Sequence, residues 1–140
     1  MPSQREVILA HLDPLLATIP GVTATRSREA SIKRDSGPFV LLRPEVETVR
    51  RESTGLAIRD LVVVVAVITR GDVPDTVADP ILEAVVAKLM ADLTLAGKAA
   101  TIQEESTNFE FETANQTALE AAVRFTIRYM TPAGSLAAQA

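Results

Sequence analysis

The sequence predicts a single α+β domain, a mixed and mainly antiparallel sheet with two principal helices packed on it, and three observations carry that expectation. Residues Leu56–Arg70 hold Val62, Val63, Val64, Val65, Val67 and Ile68 with no Gly or Pro, a β-branched density suited to a long strand. Residues 119–130 alternate: Leu119, Ala121, Val123, Phe125, Ile127 and Tyr129 share one face, opposite Glu120, Arg124, Thr126 and Arg128. Two other stretches repeat apolar residues at helical spacing, Val7, Ile8, Leu12, Leu15, Leu16 and Ile19 in one, Ile81, Leu82, Val85, Val86, Leu89 and Leu93 in the other.

Along the chain, Ser3 and Glu6 have capping-box spacing, in which each side chain satisfies a free backbone N–H at a helix start. Pro14 is expected to kink this helix by deleting a donor, and Pro20-Gly21 to end it. Residues 22–26 suit a strand. Residues 27–37 are polar, include Arg28, Lys33 and Arg34, and predict a long mobile loop. Residues 39–43 predict a short strand stopped by Pro44, and residues 46–52 a separate edge strand. After the Val-rich strand, residues 71–75 predict a turn, with Asp79 as N-cap and Pro80 at the first helical position of a helix running to about Asp92. Ala96-Gly97 closes that segment. Residues 99–112 form a weaker extended region, with Glu104, Glu105, Glu110 and Glu112 around Phe109 and Phe111. The domain is expected over residues 1–130, followed by a flexible tail over 131–140.

The Val-rich strand is apolar on both sides. Leu56, Ile58, Val62, Val64 and Ile68 fall on one face, and Leu61, Val63, Val65 and Val67 on the other. A chain of 140 residues suits one domain with few elements to cover two faces, so part of that surface is expected to meet another copy of the protein.

Composition removes several classes of function. A net charge of −4 lacks the electrostatic footprint of a nucleic-acid or anionic-membrane binder. The absence of Cys removes disulfides, thiolate metal sites and cysteine nucleophiles. Arg5, Glu6, His11, Asp13 and Pro14 interrupt any signal-peptide pattern, and Arg59 and Asp60 interrupt the Val-rich run as a membrane helix. A soluble protein, used in cytoplasm or built into a particle, is expected. Charge is uneven, however. Residues 26–70 carry nine Lys/Arg against six Asp/Glu, whereas residues 71–123 carry two against ten, a change from +3 to −8. Two solvated surfaces account for this simply, and complementary subunit faces account for it functionally.

No catalytic constellation emerges. His11, the only histidine, sits on the first helix far in sequence from any carboxylate cluster, and no nucleophile elbow, Walker loop or dinucleotide fingerprint is present. Asp72, Asp75 and Asp79 cluster at a strand-to-helix turn, where carboxylates favour the helix N-terminus more readily than a metal without an EF-hand pattern. The four glutamates of residues 99–112 fit a solvated acidic face. Arg26, Arg28, Lys33 and Arg34 fit a solvated basic loop or a protein contact, and fit nucleic acid poorly without aromatic interleaving. No enzyme activity, cofactor or metal is expected.

The order of these pieces resembles the tail terminator, or minor tail protein, family of long-tailed bacteriophages and related prophage elements. The similar pieces are "ATIPGV" at 17–22, "IRDLVVVVAVITRGD" at 58–72, "DPILEAVVAKLMADLTLAG" at 79–97 and "AAVRFTIRYMT" at 121–131, while the segment 27–37 fits no fixed family pattern. The resemblance implies a subunit of a ring, commonly of six copies, on the last ring of the tail tube, where it stops tube growth and presents a surface for joining the head. Its implied partners are further copies of itself, the tail tube protein and the head connector proteins, with DNA passing through the lumen unbound and no membrane involved. Its implied place is the head-proximal end of the tail in the virion, after assembly in the host cytoplasm. In such a head-to-tail ring each interface is heterologous. Arg26, Arg28, Lys33 and Arg34 are then expected on one flank, and Asp72, Asp75, Glu104 and Glu105 on the other. Two other readings stand beside this one: a different head–tail joining or tail-completion protein, and a small cytoplasmic ligand-binding module with a ferredoxin-like sheet.

Overall fold

The structure, a computed structural model, describes residues 2–26, 37–52, 55–112 and 118–136. Strand β3 (Leu56–Arg70) and strand β5 (Ala118–Pro132) are antiparallel partners along their whole length, from Leu56 opposite Pro132 to Arg70 opposite Ala118. Every residue of the Val-rich run therefore has a backbone partner on this side, and its β-branched side chains stack on the pleat they favour. Strand β2 (Phe39–Arg51) flanks β3 on the other side, strand β4 (Thr101–Glu112) flanks β5, and the short β1 (Thr23–Arg26) lies parallel to β2. The order is β1-β2-β3-β5-β4, a mixed and mostly antiparallel sheet, and with two helices it makes a single α+β domain.

Helix α1 (Gln4–Ala17) starts on half of the expected capping box. Ser3 Oγ accepts the Glu6 N–H at 3.2 Å, but the Glu6 carboxylate reaches across to Arg26, at 2.6 and 2.8 Å, instead of back to Ser3. A bidentate ion pair with a guanidinium outcompetes one backbone N–H. Pro14 lies within α1, and the helix closes at Ala17, three residues before Pro20.

Two boundaries differ from expectation. Residues 39–43 and 46–52 are not separate strands: β2 is one strand with a bulge, Pro44 opposite Val63 and Val46 opposite Val62, so that Glu45 is the extra residue. Pro44 is tolerated because β1 pairs only as far as Leu42, and among the described residues β2 is an edge from there on. Helix α2 (Pro74–Met90) begins at Pro74, with Asp79 and Pro80 inside it. Pro74 meets the first-turn requirement itself, and its carbonyl accepts the Thr69 hydroxyl at 2.8 Å, tying the helix start to the end of β3.

The helices cover one face of the sheet. Ile8, Leu12 and Leu16 of α1 and Ala78, Ile81, Val85 and Leu89 of α2 form one core with Leu61, Val63, Val65 and Val67 of β3 and with Leu119, Val123, Phe125, Ile127 and Tyr129 of β5. The alternation of β5 follows this division. Leu93, expected on the buried stripe, is exposed, because α2 has ended; buried Leu95 takes its place in a turn where Leu95 and Ala96 adopt φ of 51° and 59°. The Asp92 carboxylate holds that left-handed pair by accepting the backbone N–H groups of Thr94 and Ala96 at 3.1 and 2.8 Å, and these bonds lower its pKa. Strand β5 runs to Pro132, two residues beyond the expected domain end, and the Leu136 carbonyl accepts the Gln4 N–H at 2.8 Å. Residues 137–140 lie outside the described residues.

Truncation should separate core from surface. Phe125→Ala, at a fully buried site, is expected to lower stability by ~3–5 kcal/mol, and Leu93→Ala by under ~0.5 kcal/mol, in urea unfolding followed by circular dichroism.

Candidate functional site

Among the described residues, the second face of the sheet has no helix over it. Register places Phe39 and Leu41 of β2, Ile58, Val62, Val64, Ala66 and Ile68 of β3, and Ala122, Thr126 and Met130 of β5 on that face. Most are half-buried, whereas Val64 and Ala66 are fully buried. Long side chains on neighbouring strands account for this: Arg124 pairs with Glu45 at 2.8 Å and Arg43 approaches Glu120 at 3.9 Å, all four in the shallow depression around Val64. Their aliphatic stems lie on the apolar band while their heads stay in water. The chain's own ion pairs thus screen the centre of the face, and the flanking apolar residues stay partly exposed.

Nearer the far end of the face, Arg128 binds Asp60 through two hydrogen bonds of 2.8 and 3.0 Å. These bonds, more than the charge alone, hold the Asp60 carboxyl below its ordinary range. Of the three pairs on this face, only Arg43–Glu120 joins the two stretches of the charge split; Arg124 and Arg128 lie beyond both and pair with Glu45 and Asp60 of the basic stretch.

The two edges of the sheet differ in kind. Arg26 lies at the β1 edge, where its guanidinium is held by Glu6; Arg28, Lys33 and Arg34 lie outside the described residues. At the opposite edge, β4 carries Glu104 and Glu105, exposed and without an ion pair among the described residues. Asp75 joins them from the first turn of α2, lining with Asp79, Leu82 and Phe109 an open groove of about 410 Å³ between α2 and β4. Asp72 is exposed just before that helix. Arg26 and the pair Glu104 and Glu105 therefore sit on opposite margins of one sheet, whereas Asp72 follows the central strand β3 and Asp75 lies on α2. Phe109 and Phe111, whose role the sequence left open, are 54% and 56% exposed on the acidic edge strand.

A buried polar cluster escaped the sequence reading. The Glu47 carboxylate, 8% exposed, accepts hydrogen bonds from Arg5 at 3.2 Å, from Arg59 at 3.3 Å and from the Tyr129 hydroxyl; Arg59 also donates to the Thr131 hydroxyl at 3.0 Å. Burial first, then the bond to Glu47, pushes the Tyr129 pKa well up. The group fills the space between the start of α1 and the ends of β2, β3 and β5. Buried Tyr129 was the available signal, since a buried phenol requires a partner; which carboxylate supplied it was hidden by the bulge, which turns Glu47 inward.

No protein-family profile matches the chain, and no curated protein matches it by sequence. What fold and geometry define is a two-layer α+β domain with one sheet face that carries no helix among the described residues and two chemically different edges. Among the described residues, no group of three or more His, Asp or Glu side chains is arranged to hold a metal, and no helix is long and apolar enough to cross a membrane.

Two measurements check these assignments. Glu47→Ala leaves Arg5 and Arg59 without their carboxylate in a largely dry site and is expected to lower stability by ~3 kcal/mol, against under ~0.5 kcal/mol for Arg50→Ala, whose partner Glu52 is exposed. The Asp60 pKa is lowered by folding, so its contribution is present above the unfolded value of ~3.9 and lost as pH falls through the folded value. Asp60→Asn is therefore expected to lose less stability than the parent between neutral pH and about pH 3, in paired urea titrations.

Proposed function

We propose that this protein is a structural ring subunit of a long-tailed phage or prophage-derived particle, a tail terminator that caps the tail tube, stops its growth and offers a surface for the head. The observation that carries this reading is the chemical difference between the two sheet margins: exposed Glu104 and Glu105 on β4, with Asp75 of α2 lining the groove against that strand, and on the other side Arg50 and Arg51 of β2 with Arg26, which Glu6 holds. A repeated head-to-tail contact needs two different and complementary patches on each copy, which is the condition for closing a ring. The order and spacing of the four resembling segments, and a partly apolar sheet face open to contact, support the same reading.

Function then follows from surface complementarity. One ring face matches the end of the tube, the other matches the head connector, and neither accepts another tube ring. Carboxylates that reach the lumen repel DNA phosphate and keep the passage free of sticking. A different joining or completion protein would share the ring and differ in what it binds, so pull-downs against tube and connector proteins distinguish the two. The groove beside Phe109 is the feature on which a ligand-binding module would rest.

Purified protein, alone or seeded with tube ends, is expected to form closed rings of about six copies. Light scattering with electron microscopy reads this directly, and persistent monomer or dimer at high concentration in the presence of tube protein overturns it.

A further inference from the structure

Strand β4 is an unusual edge. Among the described residues it pairs only with β5; it is twelve residues long and exposed at every position except Ile102 and Thr107. Typical strands are about half that length, and edges are commonly blunted by Lys, Pro or shortness. Residues 101–112 contain no Lys, Pro or Gly, and the strand keeps only a bulge between Glu104 and Ser106 as interruption. Its exposed Phe109 and Phe111 add an apolar surface that favours being covered.

The other side of the sheet also has an open edge. Strand β1 pairs with β2 only through Leu42, so residues 43–51 of β2 have no strand on their outer side among the described residues. Val46 and Val49 are 46% and 53% exposed there. Of the charges on this stretch, Glu47 is buried in its cluster and Glu45 is taken by Arg124, which leaves the exposed end with Arg50 and Arg51. Arg50 has only the exposed Glu52, and Arg51 has no ion pair among the described residues.

We infer that the free edge of β4 in one copy pairs with residues 43–51 of β2 in the next, so that the sheet continues from subunit to subunit. This rests on the ring reading and specifies its contact. Three observations select a second copy as occupant. The acidic and aromatic edge complements a basic and aliphatic one. Two β4 edges meeting each other would set Glu104, Glu105, Glu110 and Glu112 against their own kind, which cross-strand pairing penalises. Directions also agree: β2 is antiparallel to β3, β3 to β5 and β5 to β4, so β2 and β4 run oppositely. A rotation about an axis along the strands preserves direction, and brings β4 of one copy antiparallel to β2 of the next with the helix layers on one side of the continuous sheet.

The chain has no Cys, which makes disulfide trapping clean. Single variants Ser106→Cys and Asn108→Cys on β4, and Val46→Cys and Thr48→Cys on β2, all sit at exposed positions on the open sheet face, and the four mixtures sample neighbouring registers. Each variant is first checked for parental circular dichroism and melting. After mild oxidation under assembling conditions, disulfide dimers are expected in at least one β4-plus-β2 mixture and absent from each variant alone, with the yield lost in Glu104→Lys/Glu105→Lys, since antiparallel pairing sets these two carboxylates against Arg50 and Arg51. Dimers of a β4 variant with itself overturn the inference. Rings seen by electron microscopy with no mixed disulfide also overturn it while leaving the ring reading standing. Neither rings nor mixed disulfides overturns both.

Discussion

The full-length antiparallel pairing of β3 with β5 is the constraint on which the other features depend. Fifteen residues of each strand are in register, so the alternation of β5 fixes which side of β3 faces the helices. A slip of one residue would turn Phe125 and Tyr129 out of the core and bring Arg124 and Arg128 into it. Once that register is set, α1 and α2 have one apolar surface to cover. The opposite face is left to ion pairs.

That division shapes both kinds of polar interaction in the molecule. On the covered face, charge is admitted only where a complete set of partners exists, as around Glu47, Arg5, Arg59 and Tyr129. On the open face, Arg43, Arg124 and Arg128 shield apolar side chains beneath them and remain hydrated. Charges of the margins behave differently again. Glu104 and Glu105 have no partner among the described residues, and the proposed assembly gives them one.

Strong periodicity made the central elements legible in the sequence. The bounds of β3 and the buried set of β5 follow from Val62–Ile68 chemistry and two-residue alternation alone. Proline was the main source of error, because its effect depends on what lies alongside: Pro44 reads as a stop but sits on a strand edge, and Pro80 reads as a helix start but follows Pro74, which already supplies one. The Glu47 cluster was hidden because a single bulge residue changes the side to which every later β2 side chain points. Arg26 reads as a free cation in sequence, and only folding brings it to Glu6. The charge split was legible in the sequence, whereas placing Arg26 and the pair Glu104 and Glu105 at opposite edges required the strand order.

Amide hydrogen exchange, compared between dilute monomer and concentrated or tube-seeded protein, bears most directly on the claim that identical copies cover the margins of this sheet. If they do, the outward-facing amides of β4 and of residues 43–51 in β2 gain protection together on assembly, while those of β3 and β5 are already protected in the monomer. Unchanged exchange along both margins in a sample that has assembled would contradict it.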